Sequence, residues 1–156
     1  MRLAQAACAL ALGAVIATAV AAQDLADGPT LFTRCAACHL PDGAGVPGAF
    51  PALRAQIGRY AADPAGRTYL VSVVTHGLMG PLTAGGVGYA GFMPAQNLSD
   101  AEAAVLLNHL VSVIAAPAVK VPDFTTLEIG ALRKGCEAAG AQESRALRPD
   151  ALGTAP

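Results

Sequence analysis

The sequence contains no tryptophan, and aromatic residues make up only 4% of its 156 positions. Charge is sparse too: Asp, Glu, Lys and Arg account for 13%, and lysine occurs only at Lys120 and Lys134. The formal net charge is −1. Without a cationic excess the chain does not bind nucleic acid by neutralising phosphates, so a general nucleic-acid binder is excluded. Outside the N-terminus no apolar run approaches the ~20 residues of a spanning helix. What fills the chain is alanine, at 36 positions, with 17 glycines and 11 prolines. Hydrophobic residues reach 54%, but mostly as side chains too small to build a thick core unaided. This composition describes one small domain with much irregular backbone, arranged around something large.

Residues 1–22 have the order of a secretory signal. Arg2 precedes an apolar stretch from Ala6 to Val20, which ends in the small residues Ala19-Val20-Ala21-Ala22. A retained anchor is the alternative, but the apolar segment is short and carries a cleavage site. Cys8 does not read as a lipid-attachment site, because it precedes most of the apolar segment and Gln5 stands where an aliphatic residue is needed. Cleavage leaves no stable membrane span and three cysteines, Cys35, Cys38 and Cys136. An odd count does not read as a disulfide framework.

The rest of the chain is predicted to be mostly helical. Asp27-Gly28-Pro29 opens a helix that runs into Cys35-Ala36-Ala37-Cys38-His39. Leu40 to Pro51 is a loop rich in Gly and Pro. Asp63-Pro64 starts a second helix with Leu70, Val73, Val74 and Leu78 on one face. Gly80 to Pro94 reads as irregular, with no convincing strand pair. Ser99-Asp100-Ala101-Glu102 is a capping box ahead of a helix with Ala103, Leu106, Leu107, Leu110 and Ile114 at helical spacing. A second box, Thr125 to Glu128, opens a short helix to about Lys134, and the polar tail after Gly140 reads as mobile. The expected division is a signal at 1–22, a domain at 23–116 and an extension at 117–156.

The chemistry lies in Cys35-x-x-Cys38-His39, the attachment signal for c-type haem. Two thiols three residues apart at a helix end reach two vinyl groups on one haem edge, and the next residue lies beneath the iron. Covalent haem also supplies the bulk that this composition lacks. A zinc site would need a second knuckle, for which only Cys136, His76 and His109 are spare. A redox dithiol would want a βαβ context, and none is present. For the sixth ligand Met93 is favoured, in Gly91-Phe92-Met93-Pro94 just before a capping box. Met79, His76 or an open position are the alternatives. His109 reads as packing.

Cys35-Ala-Ala-Cys38-His39, Gly43-Ala-Gly45-Val-Pro47-Gly48, Phe50-Pro51-Ala-Leu53, His76-Gly77-Leu78, Gly91-Phe92-Met93-Pro94 and Leu98-Ser99-Asp100-Ala101-Glu102 together resemble class I cytochrome c. Within that family the chain is similar to small periplasmic cytochrome subunits or partners of alcohol and aldehyde dehydrogenases, often quinoproteins. The resemblance covers about Leu31 to Val113. It implies an all-α fold packed round one covalent haem c, with axial ligands His39 and Met93. It also implies that Pro51 accepts a hydrogen bond from His39 and fixes its ring. His109 departs from the family, which usually has an aromatic there, and leaves the helix contact near Gly28 and Phe32 open.

Two function classes follow. The first is a periplasmic electron-transfer protein, not an enzyme. It takes electrons from a periplasmic dehydrogenase and passes them through a downstream cytochrome or oxidase to the respiratory chain. The second is a haem enzyme or sensor with an open iron. The absence of a nucleophile–base pair favours the first. The scarcity of lysine predicts an apolar docking patch with weak salt dependence. Cys136 is either an inert thiol or a site of intermolecular disulfide formation. The extension is left as either a wrap over the haem domain or a partner-binding segment.

Overall fold

Asp27 caps the first helix as its position implies: its carboxylate accepts from the Thr30 N–H at 2.8 Å, and Pro29 occupies the first turn of α1 (Gly28–His39). The structure, a computed structural model, describes residues 26–54, 56–115, 120–149 and 152. The expected signal peptide and residues 117–119 lie outside that range. Helix α1 buries Leu31, Phe32 and Cys35. It packs across α4 (Asp100–His109), which is entered through the full Ser99–Glu102 capping box. Gly28 abuts His109: a Cβ on Gly28 would lie 2.5 Å from the His109 Cβ. Phe32 and the His109 imidazole pack with ring centroids 5.6 Å apart and planes inclined at 52°. The contact left open by the His109 substitution is therefore made, with the imidazole serving as the flat ring.

Helix α2 (Ile57–Ala62) leads into α3 (Pro64–His76), capped by Asp63 through the Gly66 N–H at 2.9 Å. Helix α3 is buried on more than the stripe expected. Val71 and Ser72 are fully buried and Leu70 and Val74 nearly so, whereas Val73 is only partly buried and Leu78, expected on the same helix face, lies beyond the helix end at Gly77. The reason lies in the C-terminal extension, which covers a second side of α3.

The all-α expectation needs correction. Gly80 to Pro94, read as irregular, contains an antiparallel hairpin of β1 (Leu78–Ala84) and β2 (Val87–Met93). Gly85 and Gly86, at φ +55 and +77, form its two-residue turn. Positive φ at both positions matches the right-handed twist of the flanking strands, and glycine adopts it without a Cβ clash. Gly80, Pro81, Gly88 and Gly91 are poor strand formers, which hid the pairing. An isolated hairpin is marginal in water, and this one rests on the C-terminal helix α6 (Ala141–Ala146).

Among its described residues the extension holds two helices rather than the single one expected: α5 (Thr126–Gly135) and α6. Helix α5 lies against α3 and α4, burying Ile129 completely. Arg67 of α3 stacks over the Phe124 ring at 3.6 Å and holds both Glu128 oxygens at 2.6 Å. The expected second capping box is thus only half formed. Thr125 accepts from the Glu128 N–H, but the Glu128 carboxylate turns to Arg67, where a bidentate charged pair is stronger than one backbone hydrogen bond. Arg133 pairs with Asp100 at 2.8 Å and donates to Leu98 O. In α6, part of the tail read as mobile, Ser144 is fully buried and shares a 2.8 Å hydrogen bond with Ser72. Cys136 is buried and free, so an intermolecular disulfide would require α5 to open. Among the described residues no helix is long and apolar enough to cross a membrane.

Candidate functional site

The C-terminal end of α1 presents Cys35, Cys38 and His39 together. Cys35 is buried and Cys38 exposed, and both are free thiols. Burial pushes the Cys35 thiol above its ordinary pKa. Leu40 ends the helix at φ +66, and the chain folds back through the Gly/Pro loop. Gly45 N donates to His39 O at 2.9 Å, Val46 bridges to Phe50, and Leu53 N donates to Gly43 O at 2.8 Å. This loop returns the Pro51 carbonyl to the ring of His39, where Nδ1 donates to it at 2.7 Å. A carbonyl can only accept, so the proton sits on Nδ1 and the Nε2 lone pair remains for another bond. Burial lowers the imidazole pKa, and the Pro51 bond opposes this more weakly, so the ring is neutral at pH 7.

Gly45 makes this return possible. At φ +66, any Cβ there would collide with Phe50 O and lie 2.7 Å from Pro51 O.

Opposite His39 stands the hairpin. Its register pairs Leu78 with Met93 and Met79 with Phe92. Side chains alternate across a strand, so Leu78, Leu82 and Met93 face inward while Met79 faces out and Phe92, exposed beside it, lies at the rim of one cavity. Burial alternates accordingly along β1. Two adjoining cavities of about 110 and 90 Å³ are both lined by His39, Pro51, Leu78, Leu82 and Met93. The hairpin thus brings the Met93 thioether and the His39 imidazole to one space and leaves Met79 outside it. Ile57, Tyr60, Leu70 and Arg148 line the second cavity as well. Of these only Leu70 gave a local signal, as part of the apolar face of its helix. The Gly85-Gly86 turn could have revealed the inward set of Leu78, Leu82 and Met93, whereas nothing near Arg148 announces its place.

The family model "Cytochrome c" matches residues 25–113. The chain belongs to the cytochrome c family. This cytochrome is 39% identical over 111 residues to a cytochrome c-552 of Thermus thermophilus, covering 69% of this chain and 85% of the relative. It is equally similar to the cytochrome c-552 of a second Thermus thermophilus strain, of which the match covers 75%. Membership carries the class I cytochrome c fold, here with a two-stranded sheet added to the helices, and one covalently attached haem c. It marks the chain as an electron-transfer protein rather than an enzyme. The donor set fits the group: two free thiols at helical spacing, a neutral imidazole with Nε2 available, and a thioether across the same apolar cavity.

Proposed function

We propose that this cytochrome carries single electrons in the periplasm between a dehydrogenase and a downstream cytochrome or oxidase of the respiratory chain. When bound, haem supplies a one-electron ferric/ferrous couple. Cys35 and Cys38 would hold it through thioethers, and His39 would offer Nε2 to the iron. The Pro51 carbonyl takes the Nδ1 proton in hydrogen bond, fixing the ring plane and raising ligand basicity. Met93 would be the second protein ligand to the iron, and a thioether in that role raises the potential. The observation that carries this reading is that His39 and Met93 line the same two cavities while Met79 does not. With both ligands supplied by fixed backbone elements, little has to reorganise when the electron arrives.

The dehydrogenase as donor is supported by the sequence resemblance over His76 to Pro94, and the periplasm by the signal-like residues 1–22. An absorption spectrum tests the ligand set. The oxidised protein is expected to show a methionine-to-iron charge-transfer band, and the reduced protein to resist carbon monoxide. A missing band with ready carbon monoxide binding would give the open-iron enzyme or sensor instead. Haem absorbance followed through size-exclusion chromatography of native periplasm tests the donor. Co-elution with a larger species that reduces the haem on addition of an alcohol, aldehyde or amine would make the chain a dehydrogenase subunit, and elution near the monomer's size would make it a mobile carrier or a weakly held partner.

A further inference from the structure

The two side chains that meet in the apolar cavity belong to different elements. His39 ends α1 and Met93 ends β2. Among the described elements α1 packs mainly on α4 and β2 mainly on β1, so no broad interface joins the helix of the imidazole to the strand of the thioether. What joins them is the segment that follows Met93. Its start is pressed against the end of α3. Gly77, at φ +85, leaves no room for a Cβ, which would stand 2.5 Å from Met93 O and 3.2 Å from the Pro94 carbonyl carbon. Gln96 then fixes the segment. Its N–H donates to Val74 O in the last turn of α3 at 3.0 Å. Its side-chain amide donates to Pro94 O at 2.7 Å. Its own carbonyl accepts from Arg34 Nη1 at 3.0 Å, across 62 positions. Arg34 is the residue before Cys35 in α1. Asn97, at φ +49, a conformation asparagine tolerates, turns the chain toward the Ser99 cap.

A guanidinium only donates and a backbone carbonyl only accepts, so the Arg34–Gln96 bond has one sense. A charged donor also makes it stronger than a neutral pair. Arg34 lies on the exposed side of α1 and does not line the cavity of His39 and Met93. Glu102 lies in its field, but that carboxylate accepts from the Ser99 N–H and hydroxyl. We infer that Arg34 and Gln96 are positioning residues for Met93: through them the helix that carries His39 holds the segment that fixes the thioether. The inference rests on the reading of Met93 as an iron ligand. A small exogenous ligand reaches that side of the iron only from the state in which the thioether has swung away. Its apparent affinity therefore measures how far that state is populated. Loosening the tether raises the population while Met93 itself stays in the chain.

The test uses the full-length ferric holoprotein, with imidazole as the probe, in the wild type, Arg34→Ala, Arg34→Lys and Gln96→Ala. Lys120→Gln, an exposed charge of the extension, serves as the control. Arg34→Ala and Gln96→Ala are each expected to tighten imidazole binding roughly three- to tenfold, the scale of one such hydrogen bond. In both, the methionine-to-iron band should fade on warming well before the helical circular dichroism does. Arg34→Lys, which keeps a charged donor, should return most of the change in affinity, and Lys120→Gln should leave it at the wild-type value. Wild-type imidazole affinity in both Arg34→Ala and Gln96→Ala would overturn the inference. So would a band that in both variants fades only together with the helical signal, since the two residues would then act on the whole fold alone. If Arg34→Ala yields no folded holoprotein, Gln96→Ala decides by its imidazole affinity. A wild type lacking the methionine band would instead remove the ligand reading beneath, an outcome visible before any variant is made.

Discussion

Met79 and Met93 stand on opposite faces of one hairpin. Met93 is in register with Leu78, which lines the cavities around His39, while Met79 is in register with the outward Phe92. The hairpin carries two thioethers fourteen positions apart in sequence, and the strand pleat gives only one of them access to the imidazole. Met93→Ala is therefore expected to abolish the methionine-to-iron band, lower the potential and open the iron to carbon monoxide. Met79→Ala should keep the band and change stability by no more than about 0.5 kcal/mol, as for an ordinary surface site. Retention of the band in Met93→Ala would refute this ligand assignment.

The loop that returns Pro51 to His39 depends on Gly45. A methyl group at Gly45 meets the Phe50 and Pro51 backbone directly, in a conformation that side chains avoid. Gly45→Ala is expected to cost about 1–3 kcal/mol and to displace the Pro51 carbonyl from Nδ1. Thermal unfolding of the holoprotein reads the first effect. The chemical shift of the His39 Nδ1 proton reads the second, and an unchanged shift would show that the loop absorbs the methyl group elsewhere.

Docking of α5 is linked to pH through Glu128. Its hydrogen bonds with Arg67 hold the carboxyl below its ordinary value of 4.5. A carboxyl with a depressed folded-state pKa binds its proton first in the unfolded chain. Its stabilising contribution is then fully present above the ordinary value and is lost as pH falls through the depressed one. Glu128→Gln is expected to cost roughly 1–3 kcal/mol at neutral pH and progressively less below about pH 4. Melting temperatures of the two proteins should converge on acidification. A constant gap across the series would place the contribution outside this ion pair.

Electron exchange should depend on apolar contact more than on charge. Phe92 is 64% exposed and Phe50 39%, and both border the cavity shared by His39 and Met93. The nearest lysines in sequence are far away in the extension, at Lys120 and Lys134. Phe92→Ala is expected to slow reduction by the physiological donor roughly fivefold or more, the scale of an interface anchor, with the potential unchanged. The rate should change little between low and moderate ionic strength. A steep fall with salt, or an unaffected Phe92→Ala, would move the docking surface elsewhere.

Several parts of this protein were legible before any coordinate. Asp27, Asp63 and Ser99 were readable as helix starts because a cap is a local arrangement: acceptor and N–H lie within three residues. The Cys35-x-x-Cys38-His39 group was readable for a similar reason, since one turn of helix fixes its geometry. The hairpin was not, because its strands carry Gly and Pro where strand formers were sought, and only the Gly85-Gly86 turn marks it. Glu128 was assigned to its own helix cap. The partner that outcompeted that cap, Arg67, lies 61 positions away.

Sequence alone therefore determined the Cys35-x-x-Cys38-His39 grouping at a helix end, the capped helix starts and the size and polarity of the domain, because each depends on neighbours along the chain. Sequence favoured Met93 over Met79, but tertiary structure alone decided that the hairpin turns Met93 to the cavity of His39, that Ser144 is buried against Ser72, and that Arg148 reaches Tyr60 across 88 positions. The physical reason is the same in each case. A strand's facing is set by its pairing, and burial is set by what folds over a surface, and both depend on chain segments that no local pattern connects.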